Sequence, residues 1–185
     1  RVAIGIVSGV IIVVGVAWIF RASYKSMPDL SGYMTLEVQC PSFSEGVIPV
    51  EFTGNGEDKS PELVLANLAE NAVYIAVIMD DLDHPVPGYN HGTIWNIPPQ
   101  AGIPEGSPHG ETVAALGGAK QGIGYGQHRY RGPKPPFGSH RYRFHVFVLD
   151  SMLDLGGDAR KKDLLAAMEG HILQYGSITG AYPAS

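Results

Sequence analysis

Residues 2–20, VAIGIVSGVIIVVGVAWIF, run for 19 positions without a charge. As a helix at 1.5 Å per residue, such a run is about 28 Å long, close to the hydrocarbon thickness of a bilayer. Its Val and Ile content would suit a strand in water. A segment in lipid, however, has to satisfy its own backbone, which selects helix. Trp18 near the end of the run, with Arg21, Tyr24 and Lys25 beyond it, matches the residues that gather at a membrane interface. A secretory signal peptide would carry a shorter apolar stretch, roughly 7–15 residues, followed by a small-residue cleavage site. Residues 1–25 are therefore expected to form a transmembrane anchor, held in the membrane through residues 2–20. Residues 26–32 read as a polar linker and residues 33–185 as one domain. The expectation is a single-pass membrane protein with its domain on the extracytoplasmic, periplasmic side.

The charge divides at the same place. All 18 Asp and Glu, and 10 of the 13 Lys and Arg, lie beyond residue 28, so the domain is acidic. Nucleic-acid binders need a basic face, and that class is excluded. With 44% apolar and 17% charged residues, the chain is not disordered as a whole. A single cysteine, Cys40, excludes an intramolecular disulfide framework and a cysteine-cluster metal site.

Beyond the linker the signals are mostly β. Residues 33–38 alternate loosely, and residues 47–52 form a short strand candidate interrupted by Pro49. Residues 53–62 are turn chemistry throughout. Residues 73–79 read as a strand buried on both faces, ending at Asp80, Asp81 and Asp83. Residues 91–97 read as a second interior strand, closed by Pro98 and Pro99. The Gly- and Pro-rich residues 100–140 are expected to be long ordered loops, a kind of segment that is usually functional. Residues 141–149 alternate cleanly, with Tyr142, Phe144, Val146 and Val148 on one face. One helix is expected over residues 159–175, with Asp158 as N-cap and a stripe of Leu164, Leu165, Met168, Ile172 and Leu173. The sum is a mainly β (α+β) fold, an antiparallel β-sandwich with helical additions.

Asp81 and Asp83, at i and i+2, can face one side of the end of a buried strand, and Pro85 terminates the strand just beyond them. His91 opens the next strand, where a hairpin-like connection could fold it back. GPKPPFGSHRY (132–142) is a rigid loop that delivers His140 and Tyr142 to one face of a strand. Such a loop, presenting backbone N–H groups, is a natural anion site. Two Asp and two His could instead hold zinc or iron. Acids at strand ends and single histidines are also ordinary structural residues, so it is the combination that suggests a small polar pocket. There is no Gly-x-Ser-x-Gly elbow, and the glycines of residues 117–126 do not link a strand to a helix, as a nucleotide loop would. His128, Arg129, Tyr130, Arg131 and Lys134 form a basic patch with an aromatic interleaved, read as a solvated loop rather than a single-strand binding surface.

MDDLDHP (79–85), HGTIWNIP (91–98), GPKPPFGSHRYRFHVFVLD (132–150) and AMEGHIL (167–173), in this order, resemble the phosphatidylethanolamine-binding protein family. AMEGHIL and the closing Gly180-Ala181-Tyr182 are similar to its bacterial, Raf-kinase-inhibitor-like branch. The resemblance covers residues 33–182. It implies a sandwich of two antiparallel sheets with peripheral helices and a small pocket for phosphate-like groups, phospholipid headgroups included. The pocket residues it implies are Asp81, Asp83, His91, Pro136, His140 and Tyr142, with Tyr89 at the rim. The function expected is a membrane-anchored, non-catalytic binding module with no metal and no cofactor; a hydrolase working through the same Asp and His residues is the least favoured reading. The alternative is an accessory subunit of a larger membrane complex, partnered by other membrane proteins, with a vestigial pocket. The chain departs from the family pattern at Leu82, which replaces a proline, and at Gly92, which replaces an aromatic after the pocket histidine. It departs again near Gln121, where an asparagine is usual, and at QHRYR (127–131), an insertion beside the pocket mouth.

Overall fold

A computed structural model describes residues 27–184; the anchor expected at residues 1–25 lies outside the described residues. The chain enters through two short strands, β1 (Met34–Thr35) and β2 (Glu37–Gln39). Between them Leu36 tucks its side chain into the core, and the segment there changes sheets. The strand expected at residues 47–52 is replaced by a 3-10 turn, Val50–Phe52, with Pro49 at its N-cap. Proline has no N–H to give to a ladder and its fixed φ suits a turn entry. Next come β3 (Leu63–Ala66), β4 (Tyr74–Asp81) and β5 (Tyr89–Ile97). The stretch expected to be loop contributes five short strands: β6 (Gly102–Ile103), β7 (Thr112–Val113), β8 (Ala119–Gln121), β9 (Ile123–Gly124) and β10 (Gln127–His128). β11 (Ser139–Leu149), α1 (Lys161–Met168) and β12 (Ile172–Pro183) complete the chain.

The expected helix over residues 159–175 is thus half helix and half strand. α1 stops at Met168, Glu169 is already extended at ψ 123°, and Gly170 turns the chain with φ +82°. Positive φ costs glycine nothing and ends helices readily. Arg160, not Asp158, is the N-cap, and its N–H donates to the Asp163 carboxylate at 3.0 Å.

Seven strands form one sheet in the order β1-β12-β11-β4-β5-β8-β7; β2-β3-β6 form a second, and β9 pairs with β10. β1 runs parallel to β12, while β12, β11, β4, β5 and β8 pair antiparallel. β4 and β11 are buried on both faces. Ile75, Val77, Met79, Phe144, Val146 and Val148 point between the two sheets. Ala76, Ile78, Phe147 and Leu149 point the other way, under Leu164, Leu165 and Met168 of α1. The fold is mainly β, as expected.

The expectation of a single-pass membrane protein with an extracytoplasmic domain is corrected. Among the described residues no helix is long and apolar enough to cross a membrane. α1 has 8 residues. That length spans only about 12 Å, against roughly 30 Å of hydrocarbon.

Candidate functional site

Asp81 is the last residue of β4, and Tyr142 lies opposite it on β11. His140, two residues along β11, shares the face of Tyr142 by the period of a strand. On the other side of β4, Met79 pairs with Gly92 and Asp80 with Asn90, so β5 is bulged at His91. An extra residue in one strand re-aims its side chain. Here it turns the His91 imidazole onto the face of Asp81, with its ring 5.1 Å from that of Tyr142. Three adjacent strands thus bring Asp81, His91, His140 and Tyr142 together.

The hydrogen bonds of this cluster are directional. His140 Nδ1 lies 2.7 Å from Asp81 Oδ2, and His91 Nε2 lies 4.0 Å from the same oxygen. Asp81 Oδ1 accepts from the backbone N–H of Asp83 at 2.9 Å, which closes the turn after β4. The Asp83 carboxylate takes Nε and Nη2 of Arg141 at 2.9 and 2.7 Å and the Arg141 backbone N–H at 2.8 Å. These bonds hold the Asp83 carboxyl down at about 2. His91 Nδ1 sits 2.8 Å from the carbonyl oxygen of Arg131, so Nδ1 carries the proton and donates it. Burial lowers the pKa of His91 and favours the neutral ring, whose Nε2 then carries a lone pair. That Nε2 is buried with no hydrogen-bond partner. The rings of Tyr89 and Tyr125 pack edge-on against the His91 ring, centroid to centroid 5.9 and 5.4 Å, and Tyr89 stacks on His84 at 3.9 Å. Burial, then the neighbouring Asp81, raises the Tyr142 pKa and keeps its hydroxyl protonated.

Of the residues expected from the sequence, Asp81, Tyr89, His91, His140 and Tyr142 converge, and Asp83 anchors the turn beside them. Pro136 is exposed in the loop that leads into β11. The basic patch is not a solvated loop. Arg129 pairs with Asp58, Arg131 Nη1 reaches Asp58 Oδ2 at 2.7 Å, and the Gly132 N–H donates to Asp58 Oδ1 at 2.6 Å. Tyr130 is buried, its hydroxyl donating to the Phe52 carbonyl at 2.7 Å. Residues 129–132 are therefore a strap tied down by Asp58. It passes over Gly92, where a Cβ would lie in ordinary van der Waals contact with the Arg129 oxygen at 3.4 Å and Tyr130 Cα at 3.5 Å. The Gln121 amide NH₂ lies 3.2, 3.1 and 3.1 Å from the carbonyls of Pro108, Gly110 and His128 and shares its two N–H groups among them, which fixes the loops around the strap.

Sequence reasoning missed Asp58, the Arg131 carbonyl, Tyr125 and the clamp of Arg141 on Asp83. Asp58 sits in a run of turn residues with φ +59°, and nothing in its spacing ties it to Arg129. The alternation of residues 141–149 does place Arg141 on the outer face, where a strand-end acid could have been sought as its partner. Among the described residues, no group of three or more His, Cys, Asp or Glu side chains is placed to hold a metal ion.

Fold and cluster together define a β-sandwich protein with a polar site at the ends of its central strands. A family model described as phosphatidylethanolamine-binding protein matches residues 41–183, and the chain belongs to that family. A UPF0098 protein of Pyrococcus horikoshii is 38% identical over 152 residues, covering 80% of this chain and 77% of that one. A UPF0098 protein of Archaeoglobus fulgidus is 38% identical over 151 residues, and there the match spans 82% of this chain but only 52% of the relative. A crystal structure from Chlamydia trachomatis, described as a homologue of phosphatidylethanolamine-binding protein, superposes with a TM-score of 0.72. It is 28% identical and covers 82% of this chain and 99% of that one. The names of these relatives carry no mention of a membrane span.

Proposed function

We propose that this chain is a non-catalytic module of the bacterial Raf-kinase-inhibitor-like branch that binds a phosphate-like group, free or as a phospholipid headgroup. Its site is Asp81, Asp83, Tyr89, His91, His140 and Tyr142, with Pro136 in the loop at the edge. The observation that carries the reading is the buried, unpartnered Nε2 of His91. A buried polar atom without a partner costs about 1–3 kcal/mol, and a ligand atom bound there removes that cost. His140 supports it, because its Nδ1 is committed to Asp81 and Nε2 is left as the polar atom of the ring that can meet a ligand. The strand ends and the turn locked by Asp83 and Arg141 hold these groups on rigid elements. A family named for binding supports the non-catalytic reading.

Isothermal titration with inorganic phosphate and with phosphoethanolamine tests the proposal. Binding at millimolar ligand is expected, lost in His140→Ala and in His91→Ala. A folded protein that takes up neither ligand, or a His140→Ala variant that binds as well as the parent, would sink it.

A further inference from the structure

We infer that the site selects ligands that bring a hydrogen-bond donor to its inner end: an oxyanion that still carries a proton, such as hydrogen phosphate, is held, and one without a proton, such as sulfate, is rejected. The inference rests on the phosphate-like reading of the same cluster and adds which protonation state fits.

The inner end of the cluster is built of acceptors. His91 Nδ1 is committed to the Arg131 carbonyl at 2.8 Å, so in the neutral ring Nε2 can only accept. The ring cannot turn over to offer a proton without giving up that bond. The carbonyl is itself fixed, because Arg129, Arg131 and Gly132 are all tied to Asp58. Beside Nε2 in the cluster stands a second acceptor, Asp81 Oδ2, at 4.0 Å. Oδ2 is met at 2.7 Å by His140 Nδ1. A ligand hydroxyl lying by Nε2 and Oδ2 has two lone pairs to donate to. A bare oxyanion oxygen in that place sets its own lone pairs against both and leaves Nε2 unpaired.

The charge around the cluster does not compensate for this. The guanidinium of Arg141 is held by Asp83, and that of Arg131 by Asp58 with its flat face 5.8 Å from the ring of Tyr125. Arg129 and Arg131 share Asp58, Arg141 has Asp83, and Asp81 stands at the inner end, so three guanidinium groups face three carboxylates and the site lacks the excess of positive charge that would take any anion of suitable size. To accept a bare oxyanion, His91 would have to gain a proton, and burial opposes that.

Hydrogen phosphate and sulfate are tetrahedral dianions of nearly the same size that differ by one proton. Titrating each into the protein at about pH 8, where phosphate is mostly the hydrogen phosphate dianion, at matched ionic strength, isolates that proton. Phosphate is expected to bind at least ~10-fold more tightly, the size of one lost hydrogen bond with its acceptor left buried. In His91→Gln the amide can turn its NH₂ inward, and the preference is expected to fall to within roughly threefold. Should that variant fail to fold, the ¹⁵N resonance of His91 Nε2 in the unmutated protein gives the same answer: it stays unprotonated when phosphate binds. Equal affinities for the two anions, an Nε2 that becomes protonated on binding phosphate, or a folded His91→Gln with the full preference overturns the inference while leaving the site in place. A folded protein that binds neither anion overturns both the inference and the reading beneath it.

Discussion

His91 and His145 lie on opposite faces of the large sheet, and burial lowers the pKa of both, that of His145 from 6.5 to about 3. His145 is faced by Asp80 at 3.6 Å, by the cations Lys161 and Arg143, and by the hydroxyl of Tyr175 at 2.7 Å. Below pH 6.5 the unfolded chain protonates both imidazoles, while the folded chain leaves His145 neutral down to about 3 and holds His91 below its ordinary value, so both take away stability as pH falls from 6.5. Asp80 works in the opposite sense. Its pKa is raised from 3.8 to about 6, so over that narrower range the folded state holds a proton the unfolded state has lost. With two imidazoles against one carboxyl, urea unfolding across the window is expected to show a net loss of stability on acidification. His145→Gln is expected to flatten the slope, and a slope unchanged by that substitution would remove His145 from the account. The same cluster sets a second expectation. Lys161 Nζ lies 2.5 Å from Asp80 Oδ2, and both side chains are buried. Lys161→Met leaves an uncompensated carboxylate and is expected to cost roughly 3–5 kcal/mol, whereas Lys161→Met with Asp80→Asn recovers most of it. Thermal melts of the two variants give the comparison; equal losses would show that the ion pair is not what matters.

Among the elements, β4, β5 and β11 were legible because each carries its own pattern: apolar runs bounded by acids or prolines, or strict alternation. β12 was not. The apolar stripe of α1 runs on into Ile172 and Leu173, so a helix through residue 175 fits the local pattern. The decision is made by pairing with β11, which meets β12 from Ser139↔Pro183 to Leu149↔Ile172, and by the turn at Gly170. Leu173 then packs between the sheets and Ile172 under α1, as neighbours on a strand must. Site residues followed the same rule. Asp81, His140 and Tyr142 could be placed from strand periodicity, but the orientation of His91 depends on a bulge, which belongs to a pair of strands and not to either sequence. Asp58 was hidden because its partners are some seventy positions away, in a stretch whose charges looked solvated. β12 also contains the tightest backbone approach in the large sheet to bear on register. A Cβ on Gly176 would lie 2.2 Å from the Leu36 oxygen and 2.7 Å from Val38 Cγ2. Gly176→Ala must displace backbone, and a loss of about 1–3 kcal/mol is expected. Amide exchange is expected to quicken first at Leu36, whose N–H donates to the Tyr175 carbonyl at 2.9 Å. Unchanged protection there would mean that the crossing from β1 to β2 is held by something else.

At the scale of the molecule, the two apolar cores have β4 and β11 in common, one core on each face of the same backbone. Neither layer can leave without exposing strands that the other still covers, so the cores should unfold together. Ile75 belongs to the core between the sheets and Leu164 to the core under α1, and both are fully buried. Truncating either to alanine is expected to cost about 2–5 kcal/mol. Each should lower one shared transition, seen alike by circular dichroism and by amide exchange along β4 and β11. The site lies where these strands end, with Asp81 closing β4 and His140 near the start of β11. Below the midpoint, therefore, Leu164→Ala should leave phosphate affinity unchanged, because the strand ends keep their positions until the whole sheet is lost. Two separated transitions, or a graded loss of binding well before unfolding, would instead make α1 and its core an independent unit on which the site leans.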